Sequence, residues 1–163
     1  MEQIRKAGKD DVSRIAEILI FTKRTAYRPI FQNDRVSFGE MQVLPLAQAL
    51  LEDKAALGCY WVYDDGIVKG LVRISGDQVE ELYVDPFFQG EGVGSRLLCF
   101  AVEQKGCRFL WVLEKNKKAV AFYQSHGFAG TRERKPEEGT EEEIIRMKWS
   151  GDRPGNSLSP EAG

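Results

Sequence analysis

Three glycines fall on alternate positions in Gln89-Gly90-Glu91-Gly92-Val93-Gly94. Glycine has no Cβ, so such a run lets a ligand approach the backbone closely. The residues before it, Val79, Leu82 and Val84, suit a strand. Asp85-Pro86 then ends that strand, because proline has no N–H to give to a ladder. After the glycines, Val93, Leu97, Leu98, Ala101 and Val102 recur at helical spacing, and Gly106 is placed to cap the helix. A strand, a glycine loop and a helix in that order leave several backbone N–H groups unpaired where the helix opens. The helix dipole adds partial positive charge there. Such a junction can seat phosphate oxygens.

Two common phosphate motifs fail on named residues. A Walker loop needs Lys and then Ser or Thr after its last glycine, whereas Gly94 is followed by Ser95-Arg96. The dinucleotide fingerprint needs a third glycine where Ser95 stands. The pattern Q-x-x-G-x-G fits, as Gln89, Gly92 and Gly94 directly after Leu82-Tyr83-Val84-Asp85-Pro86. It resembles the acetyl-CoA pyrophosphate motif of the GNAT superfamily of N-acetyltransferases.

The elements that must position this loop can be read in order. Residues 2–7 suit a short strand around Ile4. Asp10 or Asp11 can cap a helix whose apolar positions are Val12, Ile15, Ile18 and Leu19. From Thr25 the pattern breaks into proline and polar residues among aromatics, which reads as a loop or a broken helix end over 25–38. A second helix is expected over about 38–51, kinked or restarted at Pro45, with Leu46, Ala49 and Leu50 on its stripe. Residues 58–63 and 67–74 read as strands joined at Asp64-Asp65-Gly66, and Ser75-Gly76-Asp77 turns the chain into 79–84. The apolar run 109–113 suits a strand buried on both faces, parallel to 79–84 through a right-handed crossover. Asn116 caps a helix carrying Ala119, Val120, Phe122 and Tyr123, closed by Gly127. A strand from Phe128, an acidic loop over 136–143 and a strand over 144–149 follow. Residues 150–163 are rich in Gly, Pro and Ser and are expected to form a disordered tail.

The order β-α-α-β-β-β-α-β-α-β-β is the GNAT order, so the resemblance spans 2–149. A second block, N-x-x-A-x-x-F-Y-x-x-x-G-F from Asn116 to Phe128, resembles that family's second signature. The implied fold is α/β in the broad sense: a mixed, mostly antiparallel sheet of about seven strands with helices on both faces. The strands over 79–84 and 109–113 would form a splayed parallel pair at the acetyl-CoA cleft. The expected domain is 1–149.

The resemblance also implies roles. Acetyl transfer needs a held thioester, a neutral amine and a proton for the departing thiolate. The backbone of Gln89, Gly90, Glu91, Gly92, Val93, Gly94 and Ser95 would take the pyrophosphate. The backbones of Leu82, Tyr83 and Val84 would pair with the pantetheine amides as an added strand does. Tyr123 would be the general acid, since a phenol with a reference pKa near 10 is protonated at neutral pH. The alternative is that Tyr123 packs with Phe122 as helix core. Asn116 would contact the cofactor arm as well as cap its helix. For the base, Glu81 is preferred over Glu80, with Glu114 third and a water chain as the alternative. Neighbouring strand residues point to opposite faces, so one of Glu80 and Glu81 at most would reach the cleft. Arg96, Lys117 and Lys118 could meet the 3′-phosphate or form plain surface, and His126 reads as structural.

Composition narrows the partners. At 163 residues with a formal charge of −2, the chain lacks a nucleic-acid footprint. Cys59, Cys99 and Cys107 are scattered, with one histidine and no CxxC, which argues against zinc and for reduced thiols in the cytoplasm. Residues 1–11 are too polar for a signal peptide, and no apolar run approaches a membrane span. The expected partners are acetyl-CoA, as acyl donor, and a primary amine of a small molecule or peptide. The acidic run 137–143 and the aromatic loop 27–38 would border the acceptor, and an acidic rim would favour a cationic amine. No metal and no membrane is implied; the oligomeric state stays open, a homodimer among the options. The competing functions are a non-catalytic acyl-CoA sensor and a nucleotide-binding α/β domain.

Overall fold

A computed structural model of the chain describes residues 3–31, 43–137 and 142–151. Among them are seven strands, five α-helices and two 3-10 turns. The chain divides into two compact units, residues 1–107 and 108–163.

The first unit holds β1 (Ile4–Lys6), α1 (Val12–Phe31), α2 (Val43–Glu52), α3 (Lys54–Leu57), β2 (Tyr60–Asp64), β3 (Val68–Ser75), β4 (Gln78–Val84) and α4 (Val93–Lys105). Its four strands pair antiparallel in the order of the chain. The pairs Tyr60↔Arg73, Val62↔Leu71, Arg73↔Glu81 and Leu71↔Tyr83 put these residues on one face. Val62 and Leu71 are buried there with Val12, Ile15, Ile18 and Leu19 of α1 and Ala47 and Leu50 of α2. Side chains of this kind contribute about 1.5–3 kcal/mol each on full burial. The other face carries Trp61, Tyr63 and Gly70 against α4: Trp61 meets Phe100 at 5.1 Å, and Arg96 Nη1 donates to the Tyr63 hydroxyl at 2.6 Å. So this sheet has helices on both faces.

Two β-bulges break the alternation. Asp64 pairs with Val68 and Tyr63 with Gly70, so Lys69 is an extra residue in β3. Arg73 pairs with Glu81 and Ile74 with Val79, so Glu80 is an extra residue in β4. Period-two reasoning therefore fails at both positions. In particular, Glu80 and Glu81 do not part to opposite surroundings: both carboxylates approach Arg73, at 3.4 and 3.9 Å.

The helices differ from expectation in instructive ways. The turn that leads into α1 is capped at Gly8 and not at Asp10 or Asp11. Gly8 opens a 3-10 turn, Lys9–Asp11, and Asp11 Oδ2 accepts the Gly8 N–H at 2.8 Å. α1 does not break at Thr25 but runs on to Phe31. Pro29 lies in its last turn, where its missing N–H costs one intrahelical bond and not a whole helix. Pro45 is the third residue of α2, in its first turn, where N–H groups have no partner to lose. Ala47, not Ala49, faces the core with Leu50. The expected stretch 38–42 lies outside the described residues. α4 matches expectation, with Val93, Leu97, Leu98, Ala101 and Val102 all buried and Gly106 left-handed at φ +71°.

The second unit holds β5 (Phe109–Leu113), α5 (Lys117–Ser125), β6 (Phe128–Pro136) and β7 (Glu143–Trp149). β7 pairs antiparallel with both β5 and β6. Asn116 caps α5, its Oδ1 accepting the Ala119 N–H at 3.2 Å, and Gly127 is left-handed at φ +93°. β5 is not buried on both faces. Leu110 and Val112 are buried, whereas Phe109 and Trp111 are half-buried beneath the cations of Arg146 and Lys135, at 4.2 and 4.4 Å from their rings. Residues 138–141 of the acidic loop and 152–163 of the expected tail lie outside the described residues.

Two predictions follow from the first unit. A Cβ on Gly70 would lie 2.9 Å from Val93 Cγ1, 3.0 Å from Leu97 Cδ1 and 3.1 Å from the Tyr83 carbonyl. Gly70→Val should destabilise the chain by about 1–3 kcal/mol in urea unfolding, since packed cores resist added volume. An unchanged midpoint would show that α4 does not depend on this close approach. Asp11 is buried, and Arg5 donates to both its oxygens at 2.9 Å. The guanidinium holds the Asp11 carboxyl below its usual value, with the Gly8 N–H acting the same way against the cost of burial. A value depressed in the folded state stabilises above the unfolded value, near 4, and is lost as acid protonates the folded carboxyl. Asp11→Asn should therefore be less stable than the parent at pH 7, with the gap closing towards pH 3; a gap independent of pH would remove the ion pair from the account.

Candidate active site

The expected phosphate seat is assembled at the end of β4. Leu82, Tyr83 and Val84 are half-buried and pair with Val72, Leu71 and Gly70 of β3. Asp85 then starts a 3-10 turn, Pro86–Phe88, its Oδ1 accepting the Phe87 N–H at 2.8 Å. The same carboxylate pairs with Arg14 of α1, whose Nε donates to the Val68 carbonyl at 2.9 Å. One arginine thus ties α1 to the start of β3 and to the residue where β4 ends. The Val84 carbonyl accepts from Gln89 Nε2 at 3.2 Å and from Thr22 Oγ1 at 3.5 Å. Gln89 therefore folds its side chain back onto the strand, leaving its backbone to the loop.

Gly90 and Gly92 are both left-handed, at φ +87° and +85°, a conformation that side chains with a Cβ rarely adopt. A Cβ on either would meet nothing within 4 Å, so the glycines serve backbone shape and leave open space above it. Gly92 is the N-cap of α4 and offers no side chain to its first turn. Glu91, between them, is exposed and reaches Lys69 Nζ of β3 at 3.2 Å. Two left-handed glycines, open space above them and a helix opening without a side-chain cap make up this loop.

The candidate base sits in a polar row across the face that carries α1 and α2. Tyr60, 2% exposed, donates from its hydroxyl to Glu81 Oε1 at 2.8 Å. Burial first, and then the charge of Glu81, pushes the Tyr60 phenol far above its usual value, so it stays protonated as the donor. Arg73 lies over the Tyr60 ring at 5.4 Å and neutralises part of the two carboxylates. Glu114, the third candidate, belongs to the second unit and is paired with Arg134 at 2.8 Å.

Also in the second unit, Tyr123 is half-buried on α5 and meets Phe122 and Phe128 edge-on, at 5.3 and 6.1 Å. Asn116 uses its amide oxygen in the cap. His126 lies against Phe122 with Nδ1 2.9 Å from the Phe122 carbonyl, a helix-end contact. Lys117 and Lys118 are exposed. The structure thus gathers Glu81 and the residues 82–95 in the first unit, and Asn116, Glu114 and Tyr123 in the second. Residues 32–38 of the aromatic wall lie outside the described residues, as do 138–141 of the acidic run.

Sequence reasoning missed Arg14, Tyr60, Lys69, Arg73 and the bracing role of Asp85. Asp85-Pro86 carried a signal for an Asx-capped turn. The others had none, because their meaning lies in partners some 20 to 70 residues away. Among the described residues, no group of three or more His, Cys, Asp and Glu side chains could hold a metal ion, and no helix is long and apolar enough to cross a membrane.

Residues 56–129 match the family model of the acetyltransferase (GNAT) domain. An uncharacterized N-acetyltransferase of Methanocaldococcus jannaschii is 41% identical over 78 residues, covering 45% of this chain and 32% of that protein. The peptidyl-lysine N-acetyltransferase YjaB of Salmonella typhimurium is 32% identical over 62 residues, covering 38% of this chain and 43% of that protein. The chain therefore spans less than half the length of either relative. Among solved structures, the PaiA N-acetyltransferase of Thermoplasma acidophilum, in complex with coenzyme A, is similar with a TM-score of 0.68 at 19% identity, over 91% of this chain and all of that one. That likeness shows the fold, a mixed and mostly antiparallel sheet with helices. The glycine loop at the end of β4, the signature on α5 and the match over 56–129 agree in making this stretch similar to the acetyltransferase (GNAT) domain.

Proposed function

We propose that this chain is an acetyl-CoA-dependent N-acetyltransferase acting on a primary amine of a small molecule or peptide. The observation that carries the reading is the loop from Val84 to Ser95: a braced strand end, two left-handed glycines above open space, and a helix opening without a side-chain cap. The coenzyme A complex of PaiA and the names of both curated relatives support it.

In this reading the backbone of Gln89, Gly90, Glu91, Gly92, Val93, Gly94 and Ser95 holds the diphosphate, and that of Leu82, Tyr83 and Val84 aligns the pantetheine arm, with Asn116 as a further contact. When bound, acetyl-CoA supplies a thioester whose acetyl group can pass to nitrogen. Glu81, oriented by Tyr60, takes the proton that the acceptor ammonium must lose before its nitrogen can attack. Tyr123 gives its phenolic proton to the departing thiolate as the C–N bond forms and the C–S bond breaks, and the second proton of the attacking nitrogen returns to the Tyr123 phenolate, so that amide and thiol leave neutral and Glu81 passes its proton to solvent. Three cysteines without a CxxC suit a cytoplasmic setting.

Acetyl-CoA should raise the melting temperature of the parent, while NAD and ATP do little. Gly92→Val should abolish that rise, because its φ is costly for valine and its side chain would enter the open space. A rise with NAD and none with acetyl-CoA would return the loop to the dinucleotide class. Thiol release from acetyl-CoA against amines, amino acids, polyamines and lysine peptides separates an enzyme from an acyl-CoA sensor. On the accepted amine, Tyr123→Phe should lower kcat on the order of 10²-fold with little change in acetyl-CoA affinity. Parent-like kcat from pH 7 to 9 would take Tyr123 out of the chemistry and leave it as packing.

A further inference from the structure

The phosphate loop contains its own electrostatic obstacle. Glu91 stands between the two left-handed glycines, so a carboxylate shares the loop that is to receive a diphosphate. Like charges this close repel each other strongly, and the solvent screens them only in part.

Lys69 answers that charge. It is the extra residue of the β3 bulge, and bulges turn side chains away from the regular alternation. Its Nζ reaches Glu91 Oε1 at 3.2 Å, rests 4.8 Å from the centre of the Phe88 ring and meets Asp65 Oδ2 at 3.1 Å. The side chain is 16% exposed, well covered for a lysine. Asp65 first, and then Glu91, hold the ammonium above the usual lysine range, so it is charged throughout the physiological span. The backbone is engaged as well: the Lys69 carbonyl accepts the Asp85 N–H at 2.8 Å, directly before the 3-10 turn. Asp65 and the Phe88 ring fix where the ammonium sits, and the ammonium draws the Glu91 carboxylate towards β3.

Resting on the acetyl-CoA reading above, we infer that Lys69 is a positioning residue for the donor's diphosphate: it neutralises Glu91 and holds that carboxylate aside from the seat. It acts through Glu91 and needs no contact of its own with the phosphate. The dependence is therefore conditional. Lys69 matters only while position 91 carries a negative charge.

The test is a double-mutant cycle read by calorimetric binding of coenzyme A, alongside KM and kcat for acetyl-CoA. Lys69→Gln should weaken coenzyme A binding about tenfold, because the Glu91 carboxylate is then left uncompensated beside the diphosphate. The loss should appear in KM and spare kcat. Lys69→Arg should bind like the parent. Lys69→Gln combined with Glu91→Gln should recover most of the lost affinity, and the Lys69→Gln penalty should shrink at high salt. Circular dichroism and melting of the ligand-free variants check that each is folded. An unaffected Lys69→Gln would overturn the inference, and so would a loss that Glu91→Gln fails to recover, which would mean direct phosphate contact or plain packing. A parent chain that binds no coenzyme A would bring down the acetyl-CoA reading and this inference together.

Discussion

Helix α4 lies against β3 at a glycine, and that approach sets the geometry of everything that follows β4. The Cβ missing from Gly70 is replaced by the methyl groups of Val93 and Leu97, which would otherwise stand about one carbon further off. Val93 is the first residue of α4. Its depth against the sheet fixes how closely the helix opening can lie to the strand end, and so how tightly residues 85–92 must turn to join them. Eight residues with two left-handed glycines suffice. A helix held further out would need a longer connection. Arg14 braces the same junction from the opposite side of the sheet, linking α1 to Asp85 and to the Val68 carbonyl. The loop is therefore held from both faces.

The face beneath α1 and α2 poses a different physical question. It is largely apolar and carries the row Tyr60, Arg73 and Glu81, with Glu80 beside it. A buried phenol without an acceptor costs about 1–3 kcal/mol, and a carboxylate without compensation costs more. Here each group is another's compensation. The row sums to one negative charge, two carboxylates against one guanidinium, on a face that is otherwise mostly apolar.

What could be read from sequence divides along a physical line. The glycine loop, the α4 stripe, the Asn116 cap and the left-handed Gly106 and Gly127 are local: each follows from a few neighbouring residues and from φ preferences that glycine alone meets cheaply. The end of α1 was misread because Pro29 reads as a helix breaker, whereas the helix runs on through it to Phe31. The half-exposed faces of Phe109 and Trp111 were misread as core because the cations that cover them come from β6 and β7. Gly70 gave only a general warning. A lone glycine in a strand pattern says that something comes close, but not what.

The bulges mark the limit of pattern reasoning, and both fall where a charged side chain has a task in the proposed reaction. Strict alternation would make Glu80 and Glu81 exclusive choices, one facing α1 and the other facing α4. With Glu80 inserted as an extra residue, both reach Arg73, and the choice between them rests on how firmly each is held. Glu81 is fixed by a buried hydroxyl at 2.8 Å, whereas Glu80 has the guanidinium alone and lies exposed. A group that must meet a proton at one point in space gains from being held before the substrate arrives. That is why Tyr60, which touches no reacting atom, belongs to the account of Glu81: it converts a flexible surface carboxylate into one with a defined direction.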